Sequence, residues 1–119
     1  MSKLIQIIED DEAIRDVIEY ILQQSDYEVH VASNAKEFKS NLFNTLPDLI
    51  LMDVRLPDGN GLQLCRQLKQ NLDTRHIPVI IISAHASALE SSKEALAEDF
   101  VAKPFDLDDL LKRIERQLA

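Results

Sequence analysis

At 119 residues, with 45% apolar content and a formal charge of -8, the chain suits one domain that buries a single core without metal or disulfide staples. The acidic balance argues against direct nucleic-acid binding, which draws on clustered Lys and Arg, and a lone Cys65 excludes an internal disulfide. No apolar run approaches membrane-spanning length, and Met1-Ser2-Lys3 passes straight into a strand pattern instead of a signal-peptide core, so a cytoplasmic protein with no membrane partner is expected.

The first run, Leu4-Ile5-Gln6-Ile7-Ile8, is almost continuously apolar, as an inner strand covered on both faces should be. It ends in Glu9-Asp10-Asp11-Glu12. Ile14, Val17, Ile18, Ile21 and Leu22 then recur at helical spacing, with Arg15, Asp16, Glu19 and Gln23 on the other face. Glu28-Val29-His30-Val31-Ala32 alternates as a second strand, and Asn34 with Glu37 resembles a helix cap and its capping partner. Ala35, Phe38 and Leu42 continue a second helix.

Leu49-Ile50-Leu51-Met52 lies between Pro47 and Pro57-Asp58-Gly59. It is too short for a helix, so it reads as a buried strand whose end surfaces at Asp53. Both glycines, Gly59 and Gly61, fall in the next loop, where positive φ angles or close backbone approach are cheap for no other residue. Leu62, Cys65, Leu68 and Leu72 mark a third helix, in which Cys65 is expected to be buried and inert. Pro78 opens the run Val79-Ile80-Ile81-Ile82, which ends at Ser83. Ala86 to Ala97 is helical by composition, but its only large apolar residues are Leu89 and Leu96, so it should be the least firmly packed helix. Phe100-Val101-Ala102 forms a short last strand before Lys103-Pro104. Asp106 caps a final helix with the stripe Leu107, Leu110, Leu111, Ile114 and Leu118.

Regular alternation of strand and helix predicts an α/β fold, a parallel sheet with helices on both faces and right-handed crossovers. The C-terminal ends of the strands then share one edge, where ligands bind at the point of strand-order reversal. That edge collects Glu9, Asp10, Ser33, Asp53, Ser83 and Lys103. Carboxylates brought together there repel, raising a pKa or demanding a counter-cation. Mg²⁺ takes one or two carboxylates, keeps several waters and recruits phosphate oxygens, so the cluster reads as half of a phosphoryl-transfer site. Asp53 is the acceptor that would form an aspartyl phosphate, with Lys103 neutralising phosphoryl charge and Ser83 donating a hydrogen bond. Taken singly, each residue is ordinary: a strand-ending acid, an acidic first helical turn, a hydroxyl, a solvated lysine. Only their joint position at the ends of different strands singles them out.

The acidic run after the first strand, Leu51-Met52-Asp53 with Leu56-Pro57-Asp58-Gly59 and Gly61, Ser83-Ala84, and Val101-Ala102-Lys103-Pro104-Phe105 together resemble the response-regulator receiver domain of two-component signalling. The likeness runs from Lys3 to Leu118. It implies one receiver domain over 1–119 with a flavodoxin-like fold of strand order 2-1-3-4-5. It also implies an Asp53 that takes its phosphoryl group from a phosphohistidine on a sensor histidine kinase or a histidine phosphotransfer protein. On the same resemblance Asp10 and Asp53 ligate Mg²⁺, Glu9 acts through a water, and the backbone carbonyl of Arg55 supplies another oxygen. Ser83 is the hydroxyl that turns to the phosphoryl group, Phe100 the switch aromatic that reshapes the face of helix 4, strand 5 and helix 5, and Lys103-Pro104 a cis bond. Enzymatic activity would extend no further than the domain's own phosphorylation and dephosphorylation.

Three rivals are weaker. A phosphatase of the haloacid-dehalogenase type needs a second aspartate where Arg55 stands. A flavin-binding relative wants hydroxyls after the first strand, where this chain has four acids. A receiver-fold docking module acting without phosphorylation would be expected to have lost an active-site position, and none is lost. Two departures from the family pattern stand out: Leu96 replaces a common glycine, and the Ser83 to Lys103 segment is slightly short, which predicts a short or displaced fourth helix. Arg55 and His85 should flank the site mouth and tune access of water to the acyl phosphate.

Overall fold

Continuous apolar runs punctuated by turns make short strands buried on both faces, and the one-sided periodic segments between them make the helices that cover those faces. The computed structural model describes residues 2–85 and 87–119. Among these residues strands and helices alternate: β1 (Leu4–Ile8), α1 (Glu12–Gln24), β2 (Glu28–Ala32), α2 (Ala35–Asn44), β3 (Leu49–Asp53), α3 (Gly61–Gln70), β4 (Val79–Ser83), α4 (Ala88–Glu94), β5 (Asp99–Ala102) and α5 (Leu107–Leu118). A small hairpin, Arg55–Leu56 against Gly59–Asn60, shapes the loop between β3 and α3. The long strands form one parallel sheet in the order β2-β1-β3-β4-β5, the flavodoxin-like order expected. Its reversal point lies between β1 and β3.

Each strand sends alternate residues to opposite faces. Ile8, Ile50, Met52 and Ile81 pack with Phe38, Leu64, Cys65 and Leu68 from α2 and α3. Ile5, Ile7, Leu49, Leu51 and Ile80 pack with Ile18 and Leu22 of α1 and Leu110 and Ile114 of α5. Burial of each such side chain contributes roughly 1.5–3 kcal/mol, so these two clusters fix the sheet between its helix layers. No described helix is long and apolar enough to cross a membrane.

Several sequence expectations need correction. Leu72 lies beyond the end of α3 and is 73% exposed, and Val17 is half out of the α1 stripe at 48% exposed. The fourth helix is shorter than 86–97, and Ala86 lies outside the described residues. It turns Ala88 and Ser92 inward while Leu89 and Leu96 face out. Leu96 closes it in the left-handed conformation, φ 66°, with its N–H donating to the Lys93 carbonyl and the Ala97 N–H to that of Ser92. The expectation of a short fourth helix therefore holds. Neither glycine has a positive φ. Gly61 instead serves a close approach, because a Cβ there would collide with the Asp53 backbone carbonyl.

Candidate functional site

The parallel sheet brings the C-terminal ends of β1, β3, β4 and β5 to one edge, and the sequence dictates what each end carries. β1 runs into Glu9, which is 3% exposed, while the next residue, Asp10, is exposed. Asp11 is the N-cap of α1, accepting from the Ile14 N–H, so the third acid of the run has a structural duty. β3 ends at Asp53. One of its oxygens, Oδ1, accepts from the Val54 N–H at 2.7 Å. β4 ends at the buried Ser83, whose Oγ accepts from the His85 N–H at 3.0 Å. β5 leads to Lys103, whose N–H donates to the Ser83 carbonyl at 2.8 Å, and the Lys103-Pro104 bond is cis.

Lys103 Nζ reaches Glu9 Oε1 at 2.6 Å and Asp53 Oδ2 at 3.1 Å, joining residues 94 and 50 positions away. Carboxylate oxygens of Glu9, Asp10 and Asp53 lie within 4.8 Å of one another. One cation does not neutralise three acids. Burial first, then the adjacent Asp53, push the Glu9 carboxyl up to about 7 against the pull of Lys103. Burial also works to raise Asp53, but hydrogen bonds with Glu9 and Lys103 outweigh it and hold Asp53 below its ordinary value. Burial acts to lower the Lys103 pKa, yet its bonds to Glu9 and Asp53 win and keep the ammonium charged. The two carboxyls are thus pushed apart, Glu9 above the ordinary carboxylate range and Asp53 below it, the division expected when like charges share a pocket.

Among the described residues, Glu9 Oε2 is buried with no hydrogen-bond partner. An orphaned acceptor of this kind is costly unless something fills the position, and an all-oxygen acidic donor set suits a hard divalent cation. The residues present therefore fit a metal ion of that class.

Other expected residues are placed less centrally. Ser33, also at the edge, donates its hydroxyl to Glu37 next to the N-terminus of α2. Arg55 is exposed on the small hairpin, and His85 is exposed beyond Ser83. Phe100 is partly buried against the α2–α3 side core. It pairs with Ile81, two residues before Ser83, and so shares Ser83's face of the sheet. It also lines a groove of about 310 Å³ with Leu89, Lys93 and Arg113.

Two contacts were not read from the sequence. Arg15 donates to the Glu9 carbonyl at 3.0 Å. Asp58 accepts from the Ala35 and Lys36 N–H groups at 2.7 and 3.1 Å, tying the loop after Asp53 to the start of α2. A turn aspartate between Pro57 and Gly59 gives a local signal for its own turn, but none for a helix 23 residues away.

The pattern of the "Response regulator receiver domain" family matches residues 5–115. The chain belongs to the response regulator receiver domain family. It is similar to the response regulator ArlR of Staphylococcus saprophyticus, at 36% identity over 99% of this chain and 53% of that protein, and it spans about half the length of the curated relatives it matches. Among solved structures, a putative response regulator from Chloroflexus aurantiacus superposes with TM-score 0.94 at 30% identity, covering 99% of this chain and 98% of that one. The receiver domain of the sensor histidine kinase PA1611 from Pseudomonas aeruginosa, with a magnesium ion coordinated in its active-site cleft, gives TM-score 0.88 at 27% identity over 99% and 98%. As a receiver domain the chain is a signalling module and not a classic enzyme, and its acidic cluster has the composition of a metal site.

Proposed function

We propose that residues 1–119 act as one receiver domain that takes a phosphoryl group from a phosphohistidine of a sensor histidine kinase or histidine phosphotransfer protein onto Asp53. The observation that carries this reading is Lys103 bridging Glu9 and Asp53 beside an unpartnered Glu9 oxygen at the strand-order reversal. Asp53 is the nucleophile because it ends β3 at the strand-order reversal, where the Val54 N–H and Lys103 hold its two oxygens in place. As it attacks phosphorus, the P–O bond forms and the P–N bond breaks, with the electron pair leaving on the imidazole nitrogen.

Glu9, Asp10, Asp53 and the backbone carbonyl of Arg55 would hold Mg²⁺, which when bound offsets the negative charge of the carboxylates and phosphoryl oxygens. Lys103, released from Asp53 by the new acyl phosphate, donates to a phosphoryl oxygen. Ser83 turns its hydroxyl, now the acceptor for His85, toward the same group. That movement vacates space on the sheet face Phe100 shares, and the ring moves inward, altering the surface of α4, β5 and α5. Autodephosphorylation is the only hydrolysis expected.

The test is incubation with Mg²⁺ and phosphoramidate, a small P–N donor, followed by intact mass. One added phosphoryl group is expected on the native chain and none on Asp53→Asn. Unmodified native protein would overturn the reading in favour of a module that docks without phosphorylation.

A further inference from the structure

Helices of this fold run antiparallel to the strands they connect, so the C-terminal ends of α2 and α3 lie at the end of the molecule opposite Asp53. Three large apolar side chains are exposed there. Phe43, in the last turn of α2, is 92% exposed, Leu72 73% and Leu46 48%. Single exposed apolar residues are ordinary, but Phe43 and Leu46 border one groove and Leu72 lies between two residues that line it, Asn71 and Asp73. Clusters of this kind mark interaction surfaces. The groove, of about 510 Å³, continues between α2 and α3 into a narrower cleft of about 140 Å³ over Phe38, Leu64 and Leu68.

We propose that this end of the α2–α3 layer is a self-association surface, on which Phe43 of each of two copies inserts into the other's groove about a two-fold axis. A second copy fits better than an unrelated protein because the face is complementary to itself. The protruding ring and the socket large enough to take it stand side by side. Lys39 flanks the groove on α2 and Asp73 flanks it beyond α3, and among the described residues neither is in an ion pair. A two-fold operation sets each Lys39 against the other copy's Asp73, as an isologous interface requires. An acidic partner would gain only the lysine and a basic one only the aspartate. Because the surface is remote from the sheet edge, pairing leaves Asp53 open to a phosphodonor.

Sedimentation velocity of the full chain from micromolar to near-millimolar concentration tests this. A reversible monomer–dimer equilibrium is expected. Phe43→Lys, at a position so exposed that folding does not need the ring, should raise the dimer dissociation constant at least ~10-fold, with an unchanged circular dichroism spectrum and melting temperature. Lys39→Glu and Asp73→Lys should each weaken the dimer, and the double variant should restore it to within about threefold of native. A native chain that stays monomeric, a dimer indifferent to Phe43→Lys, or a charge swap that fails to rescue would each overturn the proposal.

Discussion

Lys103 answers two carboxylates at once, and the balance it strikes decides how the site responds to pH. The Glu9 carboxyl, raised from 4.5 to about 7, keeps a proton in the metal-free folded chain that the unfolded chain has already released. Between those values folding takes up a proton, so the contribution of Glu9 to stability falls as pH rises. Glu9→Gln stays neutral and lacks that dependence. Urea unfolding from about pH 5 to about pH 8 without Mg²⁺ should therefore show the native chain losing stability relative to Glu9→Gln, and saturating Mg²⁺ should offset the loss. Parallel curves for the two proteins would contradict the assignment. Gly61 poses a steric test. A methyl group there meets the Asp53 carbonyl and comes within 3.0 Å of Met52 Cγ, so Gly61→Ala should cost about 2 kcal/mol or more in denaturant unfolding and lower the phosphorylation rate by displacing Asp53. Arg55→Ala and His85→Ala should instead leave stability intact and change the dephosphorylation rate, and unchanged rates would show that neither residue gates water.

At the scale of elements, α4 is where sequence and structure part most, and the cause is visible in its side chains. β1, β3 and β4 were legible because Leu4 to Ile8, but for Gln6, and Leu49 to Met52 and Val79 to Ile82 throughout are apolar, and all three runs are bounded by acids, prolines or serine. α4 buries Ala88, Ser92 and, just past its end, Ala95, none of which stands out in a hydrophobic pattern, while the leucines that do stand out face solvent. Its end is also strained. Leu96 adopts φ 66°, a conformation that costs a residue with a Cβ about 1–2 kcal/mol, part of which glycine gives back as lost unfolded-chain entropy. Leu96→Gly should stabilise the protein by roughly 0.5–1 kcal/mol, readable as a higher urea midpoint at unchanged slope. A lower midpoint would mean that the exposed Leu96 side chain packs on something. The α2 start tells a similar story. Asn34 was legible as a cap because Glu37 follows at the capping-box spacing, but Asp58 reaches the same turn from a different loop, and such a contact leaves no trace in local sequence. Backbone hydrogen bonds from α2 hold the Asp58 carboxyl below its ordinary value, against slight desolvation. Its support of α2 is therefore present above the ordinary aspartate range and fades as pH falls through the lowered value.

For the whole molecule, topology converts separate weak signals into a site. Glu9, Asp53, Ser83 and Lys103 sit at the ends of four different strands, and a parallel sheet with right-handed crossovers leaves those ends nowhere to go but one edge. The constellation was therefore legible in advance, whereas the division of charge within it was not. Which carboxyl keeps the proton depends on the depth of Glu9, the Val54 N–H and the 2.6 Å contact to Lys103, all products of packing. The same topology separates the two ends of the molecule, with the acidic cluster and Lys103 at the strand ends and the groove beside Phe43 at the far ends of α2 and α3. The most direct measurement is to phosphorylate the native chain with an acyl phosphate and Mg²⁺, reduce the product with borohydride, and locate the resulting homoserine by peptide mass. Homoserine at position 53 alone is expected, and its loss on omitting Mg²⁺. A label at Asp10, Asp11 or Asp58, or none at all, would contradict Asp53 as the phosphoryl acceptor.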